Sequence, residues 1–294
     1  MLLRHWKDLA DNSFVLNISS MPQERILITV KTYPTLSQKY GETVCTAGLR
    51  PDGSWVRLYP IPFRRLEDLD RYRKFDWLET TLVPSRSDVR PETFHPVDWH
   101  EFKTVGFMDT KDRWRERRDM VLGKAKVYDR LDELMVAAKA NTMSLAVFKP
   151  KRIISFQWED DEPEWDPRRV DLMRSAADQS ELFPEDDWRK TFNLIPKLPY
   201  SFFYHFEDIT GRRSTLKILD WECGQLYWNC SKKFGVSRTD ALEKVRQKYI
   251  EDLGSKDIHF FLGTTKQFHG FSPNPWLIIG VFAPPFDDQM ELGL

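Results

Sequence analysis

The sequence predicts an α+β protein, with an N-terminal β-rich, barrel-like domain that carries helices and a C-terminal ββααββ sandwich. Three observations lead there. Short β-branched runs separated by Pro and Gly turns fill the first third of the chain, a helical period replaces them from Lys111, and strands return around two helical segments from Tyr200 onward.

Ile26 to Val30 is apolar and β-branched, is too short for a helix, and meets Pro34 soon after, so it reads as a buried strand. Thr43 to Leu49 and Trp55 to Tyr59 flank Arg50-Pro51-Asp52-Gly53-Ser54, whose Pro-Asp-Gly core is hairpin chemistry. Asp76 to Val83 alternates Leu78, Thr80 and Leu82 against Trp77, Glu79 and Thr81. Between Lys111 and Ala140 the pattern is helical, with Leu131, Leu134, Met135 and Ala138 on one stripe and Asn141 as the stop. Leu145 to Lys149 and Arg152 to Trp158, split by Pro150, are read as strands that return to the first sheet.

Asp166 caps a short helix from Pro167 to Ala177. Tyr200 to Phe206 and Thr215 to Asp220 form a hairpin about Thr210-Gly211. Of the two helical segments that follow, the second starts at Ser237 with Asp240 three residues on. It carries the stripe Leu242, Val245, Tyr249 and Leu253 and ends at Gly254. Strands Ile258 to Leu262 and Trp276 to Phe282 complete the order. These readings divide the chain into a β-rich domain over 1–158, an acidic, Pro-containing linker region over 159–198, and an α+β domain over 199–294.

Composition narrows the function classes. With 44 basic and 45 acidic residues the net charge is -1, so no global positive field draws the chain to nucleic acid, and any such binding must use a local patch. Cys45, Cys223 and Cys230 make no disulfide framework and, at C-x6-C spacing without further ligands, no zinc site. The opening residues carry Arg4, His5, Lys7 and Asp8 and lack a secretory apolar run, and no stretch is apolar for 18 residues; the expectation is a cytoplasmic protein with no membrane contact. The Walker A, G-x-G-x-x-G, G-x-S-x-G and H-E-x-x-H patterns are absent, which sets aside common ATPases, Rossmann enzymes and zinc proteases.

Two polar, proline-stiffened loops form the leading candidate site. They supply Lys31, Tyr33, Ser37, Lys39 and Tyr40 after the first strand and Arg57, Arg64 and Arg65 around the fourth, with Arg86 and Arg90 on the same rim. Guanidinium groups fork onto phosphate and tyrosines stack on bases, so this set points to nucleic acid, DNA or RNA, as partner without a cofactor. The alternative uses Asp220 and Glu222 at a strand end, with Asp208, as Mg²⁺ ligands of a nuclease or phosphodiesterase; against it, Asp220 can simply cap the following helix. The basic run Lys111, Arg113, Arg115, Arg117 and Arg118 is interleaved with carboxylates and reads as an ion-paired helix. A third reading, a protein-interaction subunit, rests on the acidic linker and the richness in aromatic residues, and surface exposure of Trp114, Trp165 and Trp188 is what would separate it from a core role for those rings.

The runs Lys31 to Thr35, Tyr40 to Gly48, Asp52 to Arg64 and Leu216 to Glu222 resemble those of a bacterial family of hypothetical proteins. That resemblance spans both proposed domains and implies neither catalytic residues nor a substrate. At the level of fold, a small β-rich domain with an Arg-rich rim is similar to the PUA and ASCH barrels that hold RNA or a flipped base.

Overall fold

The computed structural model describes residues 22–37, 41–62, 72–98, 101–178, 195–233 and 236–287. Its first sheet closes on itself. Strand β1 (Gln23–Lys31) pairs antiparallel with both β3 (Gly41–Leu49) and β5 (Asp76–Pro84), while β4 (Trp55–Pro62) and β6 (Thr93–Pro96) bridge the gap. The result is the barrel that the N-terminal patterning predicts, because a closed sheet buries one face of every strand and leaves few edges. Ile26, Ile28, Val44, Val56, Leu58 and Leu78 fill its interior. The β3–β4 hairpin turns at Gly53, whose φ of 87° suits glycine, with Leu49 opposite Trp55. Two short strands extend the sheet: β2 (Thr35–Ser37) on β3 and β7 (Lys103–Phe107) on β5.

The helical stretch expected from Lys111 to Ala140 is broken in two. Helix α1 (Lys111–Arg118) starts with positive φ at Asp112, Arg113 and Trp114, and a short strand β8 (Val127–Tyr128) separates it from α2 (Leu131–Lys139). Leu131, Leu134 and Ala138 are buried as the period requires.

A second sheet runs β10 (Arg152–Asp160), β11 (Tyr200–Glu207), β12 (Arg213–Ile218), β14 (Trp276–Phe282), β13 (His259–Thr264), β9 (Leu145–Phe148) and β8. Strands β9 (Leu145–Phe148) and β10 (Arg152–Asp160) form where expected but belong here and not to the first sheet, with β9 on β13 (His259–Thr264) and β10 on β11 (Tyr200–Glu207). This corrects the reading of their destination. Helices α4 (Trp221–Trp228, continued by Asn229–Lys233) and α5 (Arg238–Gln247, continued by Lys248–Asp252) lie between β12 (Arg213–Ile218) and β13. Ser237 caps α5 through the Asp240 N–H, and Leu242, Val245 and Tyr249 are buried along its stripe. With β14 (Trp276–Phe282), the ββααββ order stands. The acidic segment is tied down: Asp161 accepts from Lys197 and Ser201, Trp165 donates to the Ile195 carbonyl, and Asp166 caps α3 (Pro167–Asp178).

Barrel and second sheet share apolar and polar contacts. Leu27, Val30 and Leu49 from one pack with Phe261, Ile279 and Phe282 from the other. Beside this core, Arg57 is 1% exposed and donates to Thr93 and to the Ser144 hydroxyl and carbonyl, while Glu92 accepts from the Ser144 N–H at 2.9 Å. Arg90 pairs with Asp88 and donates to the Thr264 carbonyl. All three cysteines are free thiols, and among the described residues no helix is long and apolar enough to cross a membrane.

Candidate functional site

The connection from β1 to β2 crosses to the second sheet. Thr32 bridges to Asp220, and the Tyr33 N–H donates to the Leu219 carbonyl at 2.8 Å, so the backbone delivers the Tyr33 ring to the start of α4. Gly224 makes room for it: a Cβ there would stand 2.6 Å from Tyr33 Cδ2. The Tyr33 ring stacks on Trp221 with centroids 5.6 Å apart and an angle of 26°. Its hydroxyl accepts from Trp228 Nε1 at 2.8 Å and donates to the Pro196 carbonyl at 2.8 Å.

These contacts build a cleft of about 380 Å³, lined by Tyr33, Ile195, Pro196, Trp221, Gln225, Trp228, Asn229 and Lys232. Among the described residues no carboxylate lines it. The helical contributors sit at i, i+4, i+7, i+8 and i+11, a single face of α4 and its continuation. Lys232 Nζ lies 4.3 Å from the Trp228 ring centroid, and Lys31 Nζ lies 5.8 Å from Trp221 and 5.2 Å from Tyr72. Two indoles thus carry ammonium groups alongside. The Gln225 amide bonds to the Asn229 amide at 3.2 Å, one helical turn on.

The base of α4 is anchored by charge. Asp220 caps the helix through the Glu222 N–H, accepts from the Val281 N–H, and receives Lys74 Nζ at 2.7 and 3.0 Å. Lys74 also reaches Glu222 at 3.1 Å. Burial disfavours the Lys74 cation, but the two carboxylates outweigh it and hold the ammonium above its ordinary range.

Of the residues expected at the site, Tyr33 lines this cleft, while Lys31 lies against Trp221 and Tyr72 without lining it. Ser37 ends β2 opposite Gly41, and Lys39, Tyr40, Arg64 and Arg65 lie outside the described residues. Arg86 is exposed on the β5–β6 connection. Arg57 and Arg90 are the exceptions to the surface rim: both are buried and join barrel to second sheet, because Ser144, Glu92, Asp88 and Thr264 supply the polar partners that let a guanidinium lie inside.

The three carboxylates are not brought together. Asp208 sits in the β11–β12 turn, accepting from Leu131, Thr210 and Arg212 N–H groups. Arg212 faces it across that turn, and the extended run from there to Asp220 covers on the order of 25 Å at about 3.3 Å per residue. Glu222 is exposed. Among the described residues no group of three or more His, Cys, Asp or Glu side chains is placed to hold a metal ion. In the basic run, Lys111 pairs with Asp109 and Arg115 with Asp112, while Arg117 packs 3.8 Å from the Phe75 ring, where burial lowers its pKa to about 10. Trp114 packs 5.7 Å from Phe282 and Trp165 bonds to Ile195, whereas Trp188 lies outside the described residues.

Sequence reasoning did not single out Trp221, Gln225, Trp228, Asn229 and Lys232. Their helical spacing was readable, but only Tyr33 and Pro196 arriving from distant segments turn that face into a cleft.

Residues 22–123 match a domain of unknown function, DUF8758, and residues 127–293, more than half of the chain, match a second, DUF8757. The chain belongs to the DUF8757 family. In this DUF8757 protein the two matches meet at the short stretch between α1 and β8, where the chain passes from the first sheet to the second. No curated protein matches the sequence. Among solved structures, the crystal structure of the tetrameric p202 HIN2 aligns over 88% of this chain and 89% of its own, at 6% identity and a TM-score of 0.27.

Proposed function

We propose that this protein binds nucleic acid, seating a base against the aromatic wall formed by Tyr33, Trp221 and Trp228 and holding phosphate with Lys232, with the Lys31 charge beside Trp221 adding to the positive field. The observation that carries this reading is the cleft itself. Aromatic faces accept planar rings by stacking, and side-chain amides supply hydrogen bonds to a base edge. The charges choose among planar ligands. An aromatic box with carboxylates at its rim would suit a cation, whereas here ammonium groups already lie by both tryptophans and favour an anion attached to the ring. The hydrogen bonds from Trp228 to Tyr33 and from Tyr33 to Pro196 hold the wall in shape before any ligand arrives, which reduces the ordering cost of binding.

The site thereby moves from the Arg-rich rim to the β1–β2 connection and α4. The test is titration with labelled oligonucleotides, followed by anisotropy and tryptophan fluorescence at two salt concentrations. Binding that quenches tryptophan and weakens with salt supports the reading. Lys232→Gln should reduce the slope of log affinity against log salt by about 0.7 to 0.9, the effect of one phosphate contact. An unchanged slope removes Lys232 from the interface.

A further inference from the structure

We infer that the cleft selects an unpaired base, read along its Watson–Crick edge by the Gln225–Asn229 amide pair, so that the ligand is single-stranded nucleic acid and not duplex. This rests on the nucleic-acid reading above and deepens it. The first reason is the geometry of the wall. Tyr33, Trp221 and Trp228 line a recess, and in a duplex each base face is covered by its neighbours and withdrawn from such a recess. A strand with free bases can insert one without unpairing it.

The second reason is the amide pair. Gln225 and Asn229 bond to each other at 3.2 Å from successive turns of α4 and its continuation. Each primary amide has one carbonyl oxygen and one NH₂ group, and their mutual bond uses the NH₂ of one and the oxygen of the other. Whichever way the two amides are turned, the oxygen of the donating amide and the NH₂ of the accepting amide remain as an adjacent acceptor and donor. An adjacent acceptor and donor is what the Watson–Crick edge of a base presents in complement, and that edge is occupied in a pair. Both residues line the cleft, Asn229 exposed and Gln225 half-buried, so the pair is within reach of a ligand there. Lys232, one turn beyond Asn229, is placed for the phosphate of the same nucleotide.

The experiment compares one labelled sequence, as DNA and as RNA, single-stranded and annealed to its complement, by anisotropy on the full chain. Four homopolymers and the variant Gln225→Leu/Asn229→Leu complete it. Single strands should bind at least about tenfold tighter than duplex, since seating a paired base must first break its pairing and stacking. The double variant should bind the homopolymers with nearly equal affinity while its salt slope stays that of the unmodified protein. Equal affinity for duplex and single strand, with tryptophan quenching in both, overturns the unpaired-base inference and leaves the nucleic-acid reading standing. Failure to bind any form overturns both. Homopolymer discrimination that survives the double substitution overturns the role of the amides. The strand comparison uses unmodified protein, so it decides the main point even if the variant folds poorly.

Discussion

Lys74→Met tests how α4, and with it the cleft, is held to the barrel. The Lys74 side chain is 11% exposed and that of Asp220 1%, and they meet at 2.7 Å. Removing the cation leaves a buried carboxylate with two backbone donors, the Glu222 and Val281 N–H groups, as its remaining compensation. Breaking one side of a buried pair costs about 3–5 kcal/mol, and those two donors place the expected loss near the lower end, about 3 kcal/mol. In a chain of this size about 1 kcal/mol lowers Tm by roughly 2–4 °C, so calorimetry should show a fall of roughly 6–12 °C. Adding Asp220→Asn to that variant removes the stranded charge while keeping an oxygen for the cap, and should recover much of the loss. The deficit should also depend on pH. Without Lys74 only the two backbone donors oppose the burial that raises the Asp220 pKa above its unfolded value, so the deficit shrinks as pH falls through that raised value, where the carboxyl is neutral. An unfolding free energy from urea titration that falls by less than about 1 kcal/mol for Lys74→Met, or effects that add independently in the double variant, would refute the reasoning.

Arg57→Met should destabilise by about 3 kcal/mol or more in urea titration, since Ser144 and Glu92 lose a buried cationic neighbour. It should nevertheless leave the salt slope of ligand binding unchanged; a smaller slope would return Arg57 to the binding surface. Gly224→Ala forces a Cβ into the Tyr33 ring, so weaker oligonucleotide binding should accompany a stability loss of about 1–3 kcal/mol. Unaltered affinity would show that Tyr33 is not part of the wall. His259 is buried beside Lys149 and Arg118, and burial first, then those cations, lowers its pKa to about 4 from 6.5. Its contribution to stability is therefore complete above about pH 6.5 and lost as pH falls through about 4, and His259→Gln should flatten that limb of the stability profile. An equally steep acid limb in the variant would assign the loss to other groups.

Local chemistry made much of the fold legible. The Pro-Asp-Gly turn at Asp52-Gly53, the Ser237 cap with Asp240, and the alternation of Leu78, Thr80 and Leu82 each act within a few residues, and each forms where the sequence places it. What failed was non-local. Nothing in Leu145 to Phe148 states that its neighbours are Val127 and Phe260, because sheet membership is set by pairing across long stretches of chain. Arg57 reads as a surface cation from its own strand. It is buried because Ser144 and Glu92 come from other segments to meet it. The candidate site shows the same division. Tyr33 and Lys31 were visible as ligand-type residues on a loop, whereas the tryptophan and amide face of α4 becomes a cleft only once Thr32 and Tyr33 pair with its base and Pro196 closes the side.

The central claim is that Trp228 and its neighbours receive a base. The most direct test follows anisotropy of a labelled single strand with unmodified protein and with Trp228→Leu, circular dichroism showing both to be folded. Base–aromatic stacking is worth about 1–3 kcal/mol, so the substitution should weaken binding by roughly 5- to 150-fold and reduce the tryptophan quenching. Binding of the same affinity by folded Trp228→Leu would contradict the account.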